Sequence, residues 1–181
     1  PNIGECWSQK HATFMILGGI CTRACSFCNV ATGKPLPLDA NEPENVAHAT
    51  AQMGLKHVVI TSVDRDDQKD GGATIFAMVI QRIRELQPGC SIEVLIPDFK
   101  GSLESLKIVM DARPEILNHN VETVPRLFKQ VQPQDHYEWA AATLTNAKKL
   151  DPDVLTKSGI MVGLGESIDE VKEVMWDQRH W

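Results

Sequence analysis

An α/β fold built of successive parallel β/α units is the architecture that this sequence predicts, and three observations predict it. Short β-branched or apolar runs alternate with longer amphipathic segments along the whole 181-residue chain, the texture of strands joined by crossover helices. Each apolar run is followed by a cluster of conspicuous polar residues, and sites in parallel β/α barrels and open sheets are built from loops at that end of the strands. No internal repeat or low-complexity tract breaks the pattern, and the content is 43% hydrophobic and 23% charged. That composition supplies one domain with a single substantial core.

The elements follow in order. A first strand is expected from Thr13 to Ile20, feeding straight into a cysteine-rich loop. A helix is expected near Pro43 to Met53, because Pro43 suits a first turn, Val46, Ala49, Thr50 and Met53 share a face, and Gly54 can close it. His57 to Val63 is a compact β-branched run. Gly72 precedes a second helix with an apolar stripe of Ile75, Val79, Ile83 and Leu86, stopped by Pro88 and Gly89. Ser91 to Ile96 reads as the third strand, and the helix from about Ser102 places Leu103, Leu106 and Met110 together. The fourth strand falls at Ile116 to Val121. A longer connection carries Val124 to Val131, and Trp139, Thr143, Ala147 and Leu150 mark the next helix. Gly159 to Leu164 is the expected fifth strand; Ser167 and Glu170 then form a capping box that opens a last helix with Ile168, Val171 and Met175 inward.

Composition narrows the partners. The net charge of −6 argues against a broad nucleic-acid surface, which needs clustered Lys and Arg. No run approaches the roughly 18 apolar residues of a membrane span, and no signal-peptide pattern opens the chain. A soluble protein is therefore expected. Five cysteines, three of them clustered, fit a reducing compartment better than a disulfide framework. Because the chain begins at Pro1 and stops at Trp181 inside a helical pattern, it is expected to be part of a longer protein.

The stretch Cys21-Thr-Arg-Ala-Cys25-Ser-Phe-Cys28 carries the chemistry. Three thiolates on one short loop can hold three irons of a four-iron, four-sulfur cluster, since such clusters demand soft sulfur donors. The fourth iron is then open, as catalytic metals require. Structural zinc usually shows a second Cys-x-x-Cys pair, which is missing here. The odd cysteine count disfavours a disulfide. A non-catalytic electron carrier or zinc module stays open on these residues alone.

A Cys-x-x-x-Cys-x-aromatic-Cys loop after the first strand of a β/α domain resembles the radical S-adenosylmethionine (SAM) superfamily. The surrounding residues are similar to the lipoyl synthase family throughout: Pro1-Asn-Ile-Gly-Glu-Cys6-Trp7, Thr32-Gly-Lys-Pro35, Val59-Ile-Thr-Ser-Val-Asp-Arg-Asp-Asp67, Gly71-Gly72, Asn118-His-Asn-Val-Glu-Thr-Val-Pro-Arg126 and Thr156-Lys-Ser-Gly-Ile-Met-Val-Gly-Leu-Gly-Glu166. The resemblance implies a partial (β/α) barrel of the radical SAM type, with about five β/α units present of an expected six. It also implies a division into residues 1–12, the N-terminal segment of an auxiliary-cluster region, and 13–181, the partial-barrel domain truncated at its C-terminus.

The implied function is insertion of two sulfur atoms into carbons 6 and 8 of a protein-bound octanoyl-lysine. Cys21, Cys25 and Cys28 would hold the SAM-cleaving cluster, whose open iron chelates the methionine moiety of SAM. One electron then yields a 5′-deoxyadenosyl radical, which removes hydrogen from the octanoyl chain. Sulfur comes from a second four-iron cluster. Cys6 matches the last cysteine of that auxiliary Cys-x4-Cys-x5-Cys motif; the other two cysteines would precede Pro1, and the family's Arg-Ser-Ser lies beyond Trp181. One ligand cannot hold a cluster, so sulfur insertion is not expected of these 181 residues alone. Implied partners are octanoylated carriers (lipoyl domains of 2-oxoacid dehydrogenase complexes and the glycine cleavage H protein), an electron donor and an iron–sulfur cluster carrier. The implied compartment is the bacterial cytoplasm, or a mitochondrion or plastid. Another radical SAM reaction that inserts sulfur or abstracts hydrogen is the alternative enzyme reading.

Further positions follow from the resemblance. Phe27 stands where the family's aromatic packs near adenine, although loop burial explains it equally well. Thr61, Ser62 and Asp64 fall on the methionine-binding segment of related enzymes, and Asn120 and Glu122 can hydrogen-bond ribose hydroxyls; a hydrogen-bonded turn is their shared alternative. Arg65, Asp66 and Asp67 make either a solvated loop or a clamp on the substrate. Lys157 can meet a carboxylate, His119 reads as a structural hydrogen bonder, and Cys90 as a small packing residue.

Overall fold

In the computed structural model, which describes residues 3–181, the alternating texture becomes a parallel sheet flanked by helices. Pro1 and Asn2 of the opening motif lie outside the described residues. The chain enters through α1 (Ile3–Ser8) and β1 (His11–Ile16), and β2 (Ile20–Cys21) pairs with β3 (Ala31–Thr32) around the cysteine loop. There follow α2 (Glu42–Gln52), β4 (His57–Ser62), α3 (Ala73–Leu86), β5 (Ser91–Leu95), α4 (Leu103–Asp111) and β6 (Ile116–Asn118). The short α5 (Phe128–Val131), α6 (Tyr137–Leu150), β7 (Leu155–Lys157) and α7 (Ile168–His180) complete the chain. The sheet order is β1-β4-β5-β6-β7 with every pair parallel, so each β/α unit sets its strand beside the previous one. β1 and β7 end the sheet, and the five units form an open, partial barrel among the described residues.

Packing follows the period-2 alternation of the strands. Val58 and Ile60 of β4 and Ile92 and Val94 of β5 are fully buried, and they share one core with Phe76, Val79, Ile80 and Ile83 of α3. The alternate residues line the concave side, which is open enough to leave Met15 50% exposed. A second cluster joins Val121, Val124, Leu127, Phe128 and Val131 to Ala140 and Val174. It seats α5 beside the cysteine loop. Side chains bind backbone N–H groups at helix starts: Asp70, two residues before the Gly72 N-cap of α3, accepts from Gly72 N (3.0 Å) and Thr74 N (2.8 Å), and Ser102 caps α4 through Ser105 N (3.2 Å). The capping box of Ser167 and Glu170 opens α7 as expected. No helix among the described residues is long and apolar enough to cross a membrane.

Several boundaries differ from the sequence reading. β1 stops at Ile16 instead of Ile20, because Leu17 (φ 69°) and Gly18 (φ 91°) turn into left-handed backbone that a strand cannot use. The fifth strand is Leu155–Lys157, ahead of the expected 159–164, where only Ile160 makes a bridge, to Glu122. Gly159 lies under Asn120, whose Oδ1 would be 2.8 Å from a Cβ there, and Val121 N and Glu122 N both donate to its carbonyl. The last helix is turned from its expected face: Val174 is buried, whereas Ile168 is 76% exposed and Met175 also faces outward. Leu103 is likewise outward at 53%, and Ser105, Leu106, Val109 and Met110 form the packed face of α4.

Arg65 ties two loops to this frame. Its Nη1 donates to Leu17 O (3.0 Å), Nη2 to Leu36 O (3.1 Å), and Nε and Nη2 to the Asp67 carboxylate (2.8 and 2.9 Å). Hydrogen bonding from Arg65 holds the Asp67 carboxyl down at about 2, against the opposing pull of burial. The folded chain thus binds this proton less readily than the unfolded one, so the contribution is present above about pH 4 and is lost as pH falls toward about 2. Asp67→Asn is expected to narrow the difference in urea-unfolding stability between about pH 6 and about pH 2.5. An unchanged difference would detach Asp67 from the acid response. In the core, Phe76→Ala is expected to cost about 3–5 kcal/mol in the same measurement, and Met78→Ala, on the exposed side of α3, under about 1 kcal/mol.

Candidate functional site

The C-terminal ends of the strands surround a cavity of about 190 Å³. Cys21, Cys25, Phe27 and Cys28 line it from the first loop, Thr61, Ser62 and Asp64 from the end of β4, and Asn120 and Glu122 from the segment after β6. Nine of the ten candidate cluster ligands and SAM contacts therefore meet in one place. Cys6 is the tenth. It is exposed on α1, ahead of β1, and does not line the cavity.

Backbone hydrogen bonds shape the cysteine loop. Thr22 N donates to Asp64 O (3.1 Å), Thr22 Oγ1 to the same carbonyl (3.0 Å), and Asp66 N to Thr22 Oγ1 (3.0 Å), joining the loop to the end of β4. At its far side Ser26 N donates to Val131 O (2.9 Å) and Ala24 N to Gln134 Oε1 (3.2 Å). Cys21 Sγ accepts from Arg23 N (3.4 Å) and Asp64 N (3.3 Å) and donates to Asp64 Oδ2 (3.6 Å). Phe27 is 40% exposed at the mouth.

The electrostatics favour neutral thiols in the protein by itself. Burial pushes the Cys25 thiol up to about 12, with the carboxylates of Asp135 and Asp64 adding to the effect, and burial also raises Cys21. Such thiols ionise only when a cation compensates, so loading the site releases protons. Among the described residues no three His, Cys, Asp or Glu side chains converge on a point where one metal ion would sit. A four-iron cluster instead takes one thiolate at each of several corners, and three soft donors on one loop suit it. Ser62 Oγ is buried with no hydrogen-bond partner at the cavity wall. This free donor fits a polar ligand beside a cluster. Burial raises the Glu122 carboxyl, with Asn120 opposing it, and Glu122 has a left-handed backbone (φ 67°) that turns the segment over the cavity.

Other sequence-selected residues have structural partners. His119 is buried with Nδ1 2.8 Å from Ile96 O, and burial lowers its basicity. Lys157 Nζ meets Glu93 Oε1 at 2.9 Å, and Cys90 is buried away from the site, its thiol pushed up to about 11 by burial and then by Glu115. Arg65 and Asp67 bond to each other, and Asp66 turns to Arg23. Sequence reasoning passed over Arg23 and Asp135, which join Asp66 and Asp98 in a partly buried ionic group. A lone cation between two candidate ligands, with acidic residues after several strands, is the only linear trace of that group.

Comparisons with known proteins bear on the family and the fold. The family model of the radical SAM superfamily matches residues 15–175. A curated lipoyl synthase of Rubrobacter xylanophilus is 58% identical over 179 residues, covering 99% of this chain and 56% of that protein. The chain thus spans about half the length of that relative. Among solved structures, the [FeFe]-hydrogenase maturase HydG of Carboxydothermus hydrogenoformans superposes with a TM-score of 0.76 at 18% identity, over 94% of this chain and 40% of that one. Methylornithine synthase (PylB) gives 0.69 at 16% identity, over 91% and 50%. These two show a shared fold. With the family model spanning nearly the whole chain over the sheet and loops that form the cavity, the chain belongs to the radical SAM superfamily.

Proposed function

We propose that this chain is the central part of a lipoyl synthase, which inserts two sulfur atoms at carbons 6 and 8 of an octanoyl chain held on a lysine of a carrier protein. The observation that carries the reading is the 58% identity to a lipoyl synthase across 99% of the chain. The cavity supports it by gathering three thiols with polar residues from two further loops.

Cys21, Cys25 and Cys28 would hold a four-iron, four-sulfur cluster with one iron free for SAM. When bound, that cluster supplies the electron that cleaves SAM to a 5′-deoxyadenosyl radical. The protein's own residues bind, orient and shield. Phe27 offers a ring at the cavity mouth for the adenine, and Asn120 and Glu122 offer polar groups for the ribose. Thr61 and Ser62 face the methionine moiety; the unpartnered Ser62 Oγ is the free donor among them. Asp64 is already engaged with Cys21 and Arg23, so its part is to hold the cluster loop. Residues 1–12 belong to the auxiliary-cluster region, with Cys6 as one ligand of the sulfur-donating cluster. Octanoylated lipoyl domains and the H protein are the proposed partners, with an electron donor and a cluster carrier.

The test uses the full-length protein, anaerobically reconstituted and reduced, with SAM and an octanoyl-lysyl peptide. Formation of 5′-deoxyadenosine together with a lipoyl product is expected. SAM cleavage without sulfur transfer would move the assignment to another radical SAM reaction, and no cleavage at all would sink the catalytic reading. Cys25→Ala is expected to abolish 5′-deoxyadenosine formation, and Cys90→Ala to leave it nearly intact; equal losses would mean that the ligands are misassigned. Cys6→Ala is expected to retain SAM cleavage while losing sulfur insertion, read from the same product assay.

A further inference from the structure

Arg23 lies between two of the candidate cluster ligands, yet the residue is only 3% exposed. Nε and Nη2 donate to the two oxygens of Asp66 at 2.9 and 3.0 Å. Nη1 and Nη2 donate to those of Asp98 at 3.0 and 2.8 Å. Nη1 also donates to Asp135, and Nε lies 3.5 Å from Asp64. One cation thus faces four carboxylates delivered by the loop after β4, the loop after β5 and the segment ahead of α6. A planar guanidinium gripped in this way fixes direction as well as position, which an ammonium does not.

The backbone around Asp98 gives up ease to hold it. Phe99 (φ 49°), Lys100 (φ 54°) and Gly101 (φ 74°) are all left-handed, and Asp98 accepts from Lys100 N at 2.9 Å. Two consecutive non-glycine residues in this region persist only where the surroundings impose them. Phe99 is wedged against Gly71, where a Cβ would stand 2.8 Å from its ring. The same loop as Arg23 presents Cys21, whose sulfur accepts from Arg23 N at 3.4 Å.

We infer that Arg23 is a positioning residue: gripped by Asp66, Asp98 and Asp135, it locks the loop from Cys21 to Cys28 in the one geometry that presents three thiols to an iron–sulfur cluster. The inference rests on the reading of those cysteines as cluster ligands. Groups that orient metal ligands from behind typically cost about 10–100-fold in metal affinity when removed.

The full-length protein, reconstituted with iron and sulfide, tests it without any octanoyl substrate. The readouts are the rate of iron loss to a chelator, the electron paramagnetic resonance spectrum of the reduced cluster with and without SAM, and the unfolding midpoint of the cluster-free protein. Arg23→Gln is expected to lose iron about 10–100-fold faster than the parent, with a changed spectrum, and Arg23→Lys to recover only part of the loss. Asp98→Asn, which keeps the arginine and its other partners, covers the case in which Arg23→Gln does not fold. A changed spectrum and faster iron loss in Asp98→Asn, at a cluster-free unfolding midpoint close to the parent's, supports the positioning role. Parental spectra and iron-loss rates in the variants overturn it, as does full rescue by Arg23→Lys. A parent that forms no cluster sinks the reading of the cysteines and this inference together, whereas parental behaviour of the variants overturns this inference and leaves the reading of the cysteines standing.

Discussion

Parallel strand pairing is the constraint on which the site depends. With β1, β4, β5, β6 and β7 all running one way, every strand delivers its following loop to the same edge, and residues far apart in sequence share one cavity. The register is held by what lies underneath: Val58, Ile60, Ile92 and Val94 packed on α3. A one-residue slip would turn these side chains from the helices to the open concave side. These four side chains therefore specify the site's geometry without contributing an atom to its chemistry.

On that edge, the site manages charge through ion pairing and desolvation. Thiols that burial and nearby carboxylates keep protonated remain ready for a cation, and the carboxylates that would otherwise repel thiolates are partly occupied by Arg23. Burial outweighs even the arginine at Asp135, whose carboxyl is pushed up to about 7. A partly buried ionic group of this kind is poor evidence for stability, because desolvation offsets much of the attraction. Its directional hydrogen bonds are what make it useful for holding a loop. On the concave side Glu93 Oε1 accepts from Asn118 Nδ2 on the adjacent β6 (3.0 Å) and from Lys157 Nζ on β7 beyond it (2.9 Å).

Most of this organisation was legible in the chain itself. The α/β class, the order of the units, the capping boundary at Ser167 and the nine residues that meet at the cavity are all readable from periodicity, motif spacing and family resemblance. The misreadings have physical causes. The 159–164 segment has apolar residues in a strand-like run, but Asn120 over Gly159 and the short partner β6 leave room for a ladder only at Leu155–Lys157. Ile168 and Met175 share a helical stripe that nothing among the described residues covers, and periodicity alone cannot say which of two apolar stripes meets a neighbour.

The sequence by itself determined the donor set, since three cysteines within eight residues are local chemistry that needs no fold to be recognised. It also determined the class of architecture, because hydrophobic period follows from backbone geometry. Only the tertiary structure decided that Arg23 is an internal cation and not a surface charge, that Cys6 stands apart from the cavity, and that Asp64 serves a cysteine and an arginine. The roles of Arg23 and Asp64 depend on contacts between residues 43 to 112 positions apart. Such contacts arise when strands align in space, and no local spacing encodes them.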